Sequence, residues 1–365
     1  MTEPFRTPLY AEHADAGGRF VTFAGWRLPV HYGSILDEAR AVRTGAGMFD
    51  VSHMGRVRVR GRDALDVLQL LGTNDLRKVA PGRAQYTLWC TPDGGTIDDL
   101  INVWIAERDF IVVMNASRHE DDLAHLEDNA KALDVTVVDE SSDTVMIAVQ
   151  GPEAREIVAQ LGEIPSMRRF GVVRSTLDGV SVLVSRTGYT GEDGLELICE
   201  AGAGPRLWEA LREAGVVPCG LGARDALRME MGFPLYGHEL GLDISPLEAG
   251  VGFAVSLDDR EFIGHDALRK QAEAGPARTL MGFDCSRPAV PQQGDEIGTR
   301  GSGVSPDWIG VVTSGGTSVV LKAPIGLAFV PAGTEPGPVN LHTRGKEIVC
   351  DLRKLPLIDR KRPRK

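Results

Sequence analysis

A pair of adjacent aspartates, Asp98 and Asp99, gives the chain its clearest chemical signal. They follow a Gly-Gly turn and open a segment typical of a strand, where successive side chains point to opposite faces. Asp99 therefore interrupts the aliphatic face that contains Ile97, Ile101 and Val103. If that face is buried, the carboxyl group is costly and its pKa is raised, which makes Asp99 a candidate acid or base. An aspartate at the mouth of the sheet that caps a turn fits the pattern equally well, and Asp98 is interpreted as structural.

Tyr86 is the second candidate, on a predicted strand over residues 84–90. The turn at residues 91–95 predicts a hairpin with the returning strand at residues 96–105. Such a hairpin brings Tyr86 near Asp99, where an aromatic ring beside a desolvated carboxylate forms a platform for a flat heterocycle. A plain core tyrosine is the commoner case.

A Gly-rich loop at residues 187–194 supplies further candidates. It contains Tyr189, and Glu196 and Arg224 follow it along the chain. Glycines allow a loop to lie close to a ligand. From alternation alone Glu196 is an exposed strand residue, and an internal salt bridge is the more frequent fate of Arg224, although a planar guanidinium also suits bidentate ligand contacts.

Helical and strand signals alternate around these residues and then change. Apolar residues recur with helical spacing at residues 37–42, 62–71, 118–132, 153–161 and 223–231, and strand patterns occur at residues 110–115, 145–149, 180–186 and 195–200. After about residue 275, short strands and Gly/Pro turns indicate a separate small all-β domain.

The totals exclude several classes of protein. The 365 residues suit two or three lobes, and the net charge of −11 disfavours nucleic acid and anionic membranes as partners. No complete dinucleotide-binding or P-loop motif is present. The five cysteines contain no CxxC pair, which predicts buried thiols in a reducing compartment and no metal site. The opening residues lack a signal-peptide pattern and no apolar run approaches roughly 20 residues, so we expect a cytoplasmic protein.

Nine segments of the chain, in order, resemble the glycine cleavage T-protein family of aminomethyltransferases. They are TPLY (7–10), FAGW (23–26), GMFDVSHM (47–54), TND (73–75), GGTIDDL (94–100), VQGP (149–152), RTGYTGEDG (186–194), GLGARD (220–225) and LYGHE (235–239). The resemblance implies an α+β, multi-lobed fold with a small C-terminal β-barrel. Residues 1–258 would form the folate-binding catalytic region of two interwoven ferredoxin-like α/β lobes, 259–278 a connector, 279–354 the barrel and 355–365 a basic tail.

The resemblance also implies a reaction and a set of roles. Asp99 matches the family's catalytic aspartate, and Tyr86, Tyr189, Glu196 and Arg224 match positions that contact tetrahydrofolate, which revises the exposed-strand interpretation of Glu196. The family moves an aminomethyl carbon from the lipoyl arm of H-protein to tetrahydrofolate and releases ammonia. In this reaction Asp99 would accept or shuttle the proton of the folate amine and stabilise positive charge on the moving carbon.

The chain departs from the family pattern at two segments, and two alternative functions stay open. The segment at residues 354–358 lacks the aromatic residue that many members place near folate, and the loop at residues 315–319 departs from the usual Ser-Pro form. The alternatives are a folate-dependent demethylase of a small methylated compound and a non-catalytic folate-binding relative. The basic residues at 360–365 are a candidate docking element for H-protein, which deletion of residues 359–365 would test.

Overall fold

The structure, a computed structural model, describes residues 3–258, 260–286, 289–299 and 307–359. The candidate docking element at residues 360–365 lies outside these residues. None of the helices in the described part is long and apolar enough to cross a membrane.

The described residues form eight α-helices, three short 3-10 helices and nineteen strands. The α-helices are α1 Tyr10–Asp15, α2 Ile35–Thr44, α3 Ala64–Leu71, α4 His119–Ala130, α5 Ala154–Val158, α6 Gly204–Glu213, α7 Leu221–Met231 and α8 His265–Ala274. The strands are β1 Arg19–Phe23, β2 Trp26–His31, β3 Gly47–Asp50, β4 Gly55–Arg60, β5 Arg83–Cys90, β6 Thr96–Ala106, β7 Asp109–Met114, β8 Thr136–Asp139, β9 Thr144–Gln150, β10 Val172–Leu177, β11 Val180–Ser185, β12 Gly194–Glu200, β13 Val217–Pro218, β14 Arg278–Cys285, β15 Glu296–Thr299, β16 Asp307–Thr317, β17 Pro324–Pro331, β18 Gly337–Thr343 and β19 Lys346–Arg353.

Two sheets pack face to face in the first part of the chain. One has the strand order β5-β6-β7-β4-β8, and the other has the order β10-β11-β12-β9-β3-β13. Apolar side chains from both sheets, such as Val103 and Ile111 from the first and Ala148 and Leu183 from the second, form a common core. Polar groups placed within this layer are therefore largely removed from water.

Helices cover the outer faces of both sheets. Helices α3 and α4 pack their apolar residues on the five-stranded sheet, and α5 and α6 pack on the six-stranded sheet. Helices α2 and α7 contribute to the core between the sheets. This arrangement of sheets and helices, which pack on the outer faces and contribute to the shared core, is the predicted α+β organisation.

The last six strands close into a barrel in the order β14-β17-β16-β15-β18-β19. All its pairings are antiparallel, and its interior is filled by apolar side chains such as Phe283, Val312 and Leu341. Arg228 of α7 connects the barrel to the sheets, since its Nη2 donates to Ser314 Oγ of β16 at 2.7 Å. The predicted C-terminal β-barrel is confirmed.

The predicted hairpin of β5 and β6 is also confirmed, with Leu88 opposite Asp99 in the antiparallel register. Its turn is held against a neighbouring segment, because Thr96 N donates to the carbonyl oxygens of Gly241 and Ile244. At Gly95 an added Cβ would lie 1.8 Å from the carbonyl oxygen of Leu242, so no side chain fits there. The hairpin end that carries Asp99 is thereby fixed in place.

The cysteine prediction is wrong for one pair. Cys285 and Cys350 lie directly opposite each other on β14 and β19, with Cα atoms 4.1 Å apart, and form a disulfide. Their separation of 65 residues explains why spacing in the sequence did not indicate it. Cys90, Cys199 and Cys219 are buried thiols, as expected.

Candidate active site

A cavity of about 1060 Å³ opens where the two sheets approach the barrel. The five residues singled out in the sequence all line it: Tyr86, Asp99, Tyr189, Glu196 and Arg224. They come from two different sheets, one loop and one helix, so only the tertiary fold brings them together.

Asp99 is held at the wall of this cavity by two donors. Tyr86 Oη donates to its Oδ2 at 3.0 Å, and Asn115 Nδ2 donates to its Oδ1 at 2.8 Å. Burial and the negative charge of Asp98 raise the pKa of Asp99 to about 7, although the two hydrogen bonds act in the opposite direction. The alternative in which Asp99 caps the turn does not hold, because its side chain is bound by these two residues. Asp99 can therefore exchange a proton near neutral pH.

Asp98 lies on the opposite face of β6 and is fully buried. It accepts two hydrogen bonds from Asn115, from the backbone N at 3.0 Å and from Nδ2 at 2.8 Å. Asp98 does not line the cavity, which agrees with its interpretation as structural.

Tyr189 and Arg224 form an aromatic and cationic part of the cavity wall. The Arg224 guanidinium lies 4.7 Å from the centre of the Tyr189 ring, a distance at which cation–π attraction operates. The Tyr189 hydroxyl donates to the carbonyl oxygen of Pro234, and Phe233 stacks on its ring with centroids 5.9 Å apart. These contacts fix the ring while leaving part of it exposed to the cavity.

Glu196 is buried, so its interpretation as an exposed strand residue is wrong. Residues of β12 are covered on both faces, a property that simple alternation does not reveal. Burial raises the pKa of Glu196, and the Thr187 hydroxyl, which donates to its Oε2, and the Arg224 charge oppose that rise. Glu196 is thus a buried acceptor facing the cavity.

Arg224 keeps an unused donor in the same region. Its Nη1 is buried and has no hydrogen-bond partner among the described residues. Burial lowers the pKa of Arg224, while the charge of Glu196 raises it. A buried guanidinium donor without a partner is costly in a closed fold, and a polar ligand would relieve that cost.

Three cavity residues were not found from the sequence. Asn115 binds both aspartates, and its position at the end of a predicted strand beside residues 96–105 was the available signal. Phe253, which is 77% exposed, stacks on Tyr86 with ring centroids 5.9 Å apart. His53 lines the cavity with a buried, unpartnered Nδ1, and burial lowers its pKa to about 4, so it is neutral.

The C-terminal segment also reaches the cavity. Lys354, Leu355 and Pro356 line it, although none of them is aromatic. The segment therefore lies at the cavity even without an aromatic residue.

Comparison with known proteins now identifies the family. The family description "GCVT N-terminal domain" matches residues 9–259, and "Glycine cleavage T-protein C-terminal barrel domain" matches residues 278–359. The chain belongs to the glycine cleavage T-protein family. The family resemblance predicted from nine short segments is confirmed.

Relatives of this T-protein family match along nearly the whole chain. An aminomethyltransferase of Geobacillus kaustophilus is 45% identical, with 97% of this chain and 99% of the relative covered. One of Bacillus subtilis is 42% identical, with 97% and 99% covered. The crystal structure of the glycine cleavage system aminomethyltransferase T from Bartonella henselae superposes with a TM-score of 0.89 at 32% identity, covering 97% of this chain and 98% of that one.

Proposed function

We propose that this chain transfers the aminomethyl carbon from the lipoyl arm of H-protein to tetrahydrofolate. The products are 5,10-methylenetetrahydrofolate, ammonia and dihydrolipoyl H-protein. The observation that carries the proposal is one cavity lined both by a carboxyl group with a pKa of about 7 and by an arginine whose buried Nη1 has no partner among the described residues.

The residues present fit tetrahydrofolate. Glu196 offers a buried carboxylate that accepts neighbouring N–H groups in pairs, and Arg224 offers the unpartnered Nη1 to a carbonyl oxygen. Tyr86 and Tyr189 supply aromatic surfaces for a flat ring. When bound, tetrahydrofolate supplies the amine that accepts the carbon.

Asp99 is the residue proposed to act on the reacting atoms. In its ionised form it accepts a proton from the attacking amine, and its charge stabilises the positive charge that develops in the transition state. Tyr86 and Asn115 hold the carboxylate so that this charge is in place before the reaction begins. Partial removal of Asp99 from water strengthens this electrostatic effect.

The test is to incubate the purified protein with tetrahydrofolate and aminomethylated H-protein and to follow ammonia and methylenetetrahydrofolate. We expect equal amounts of both products from the wild type, and a large loss of rate in Asp99→Asn. Asp93→Asn is the matched control, because Asp93 is an exposed aspartate in the turn of the same hairpin.

Two outcomes would contradict the proposal. Folate binding without release of ammonia would favour the demethylase or the non-catalytic alternative, and methylated small molecules would then be tried as donors. An Asp99→Asn variant as fast as Asp93→Asn would remove Asp99 from the reaction even if the products form.

A further inference from the structure

Behind the cavity, on the far face of β6, a second carboxyl group meets Asp98. Asp122 of α4 is fully buried, and its carboxyl group contacts that of Asp98. Neither oxygen of Asp122 has a hydrogen-bond donor among the described residues. Two buried carboxylates in contact repel each other, so the contact is stable when one of them holds a proton.

The donors around the pair decide which group holds that proton. Asp98 accepts two hydrogen bonds from Asn115, which stabilise its ionised form, whereas Asp122 accepts none. Burial and the charge of Asp98 raise the pKa of Asp122 to about 10. Asp122 is therefore the acid of the pair, and its O–H donates to Asp98.

Asn115 connects this pair to the cavity. Its Nδ2 lies 2.8 Å from Asp98 Oδ1 and 2.8 Å from Asp99 Oδ1, so the two N–H bonds of one amide serve carboxylates on opposite faces of β6. This orientation of the amide requires Asp98 to be an acceptor. Protonation of Asp98 would consequently weaken its hydrogen bonds with Asn115 and remove the negative charge behind Asp99.

We propose that Asp122 is a positioning residue for the transfer reaction: as a protonated acid it keeps Asp98 ionised, and Asp98 acts through Asn115 to hold Asp99. The proposal rests on the function proposed above for Asp99. Asp122 itself does not line the cavity, and it acts only through the two neighbouring side chains.

Other charged groups near Asp122 do not supply this effect. Arg118 and Asp121, at the start of α4, act on Asp122 in opposite directions and form an ion pair at 2.6 Å. Tyr236 packs over the Arg118 guanidinium at 5.3 Å, and burial raises its pKa, so it is neutral. Burial lowers the pKa of His125, one turn further along α4, so it is neutral as well at pH 8.

On the cavity side, two tyrosines face Asp99. Burial raises the pKa of Tyr86 and of Tyr189, so both are uncharged across the working range of pH. Among the neighbouring charges, that of Asp98 therefore has the largest effect on the pKa of Asp99.

The experiment compares Asp122→Asn with Asp122→Leu in the pH profile of kcat/KM. The asparagine amide is uncharged and can still donate to Asp98, so its profile should superimpose on that of the wild type. Leucine donates nothing, which raises the pKa of Asp98 and reduces the charge behind Asp99. The acid limb, which we expect near the Asp99 pKa of about 7 in the wild type, should then move to lower pH.

A purely structural role would lower the stability of either variant without moving the acid limb. An acid limb of Asp122→Leu that coincides with that of the wild type would overturn the proposal. The same conclusion would follow if Asp122→Asn moved the limb as far as Asp122→Leu.

An infrared measurement keeps the proposal testable if Asp122→Leu does not fold or if no turnover is found. The difference spectrum between wild type and Asp122→Asn at pH 8 should contain the carbonyl band of a buried carboxylic acid, and its absence would overturn the proposal. The titration of Asp99, taken from wild type minus Asp99→Asn spectra, replaces the rate profile in that case. If this carbonyl band is present but no aminomethyl transfer is detected, the result contradicts the proposed function and leaves the protonated state of Asp122 supported.

Discussion

Two aspartates in this molecule, Asp50 and Asp99, differ in the hydrogen-bond donors around them and in the direction of their pKa shifts. Asp50, at the end of β3, accepts hydrogen bonds from Thr7 Oγ1 at 2.6 Å, His13 Nε2 at 2.8 Å and the Ser52 backbone N at 2.9 Å. Burial alone would raise its pKa, but these partners lower it to about 2. Asp99 has two donors and an ionised neighbour, and its pKa is about 7.

The same contrast separates two arginines, Arg43, which is buried, and Arg224, which is half-buried. Arg43 uses its nitrogens on Glu230, Glu192 and the carbonyl oxygens of Thr190 and Leu227. Arg224 retains a buried nitrogen with no partner among the described residues. Polar groups whose partners all come from the fold stabilise it, whereas those left incomplete at a cavity are available to a ligand.

The largest effect is expected for Asp99→Asn. Loss of a positioned acid or base typically costs roughly 10²- to 10⁴-fold in rate, and we expect a loss of that size in kcat. Because ionisation of Asp99 is disfavoured in the folded state, its carboxylate destabilises the fold above pH 7, and the variant should unfold at higher urea concentration than wild type at pH 8. An unchanged kcat would show that Asp99 does not take part in the reaction and would contradict its contrast with Asp50.

Asp50→Asn should show the reverse pattern. Removing the charge from a fully partnered buried cluster should lower the free energy of unfolding by about 3–5 kcal/mol. Since the folded pKa of Asp50 is depressed, its contribution is present at neutral pH and is lost as pH falls towards 2. Urea unfolding at pH 7 measures the effect, and the rate per folded molecule should stay close to that of wild type.

Arg224→Met should weaken tetrahydrofolate binding with little effect on stability. A hydrogen bond to a charged group contributes about 1.5–3 kcal/mol, which corresponds to about 10- to 100-fold in Kd. Arg43→Met is the matched variant, because it should destabilise the fold and leave the affinity of the folded protein unchanged. Isothermal titration and urea unfolding of both variants would decide, and equal losses of stability would refute the distinction.

The smallest effect is expected for Tyr86→Phe. The hydroxyl of Tyr86 lowers the pKa of Asp99, so its removal should move the acid limb of kcat/KM to higher pH than that of the wild type, which we expect at about 7. Tyr10→Phe, which lies outside the cavity, serves as the control. A limb that moves to lower pH would show that the hydroxyl does not bind the ionised carboxylate.

The sequence predicted the parts of the site that depend on local order. The alternation of β6 placed Asp99 on an aliphatic face, and the hairpin turn placed Tyr86 beside it. Both inferences need only the two-residue period of a strand and the register of a hairpin.

Other features depended on contacts between distant segments. Burial of Glu196 arises because its strand is central in a sheet covered on both faces, and the contact of Asp122 with Asp98 arises because α4 packs on the opposite face of β6. The pairing of Cys285 with Cys350 likewise requires the register of two barrel strands. Only the family resemblance indicated a ligand role for Glu196, and for Arg224 it favoured the ligand contact over the internal salt bridge.

The tightly packed turn at Gly95 limits what a conserved Gly-Gly pair says about activity in other members of this family. A side chain there would collide with the backbone of Leu242, so the position is restricted by space whether or not the protein turns over substrate. A homologue that had lost its activity could keep both glycines for packing alone, while the aspartate four residues after Gly95 was replaced by another residue. The Gly-Gly pair therefore indicates only that a homologue shares the fold. Whether the homologue keeps the activity is better judged from the residue at the position of Asp99.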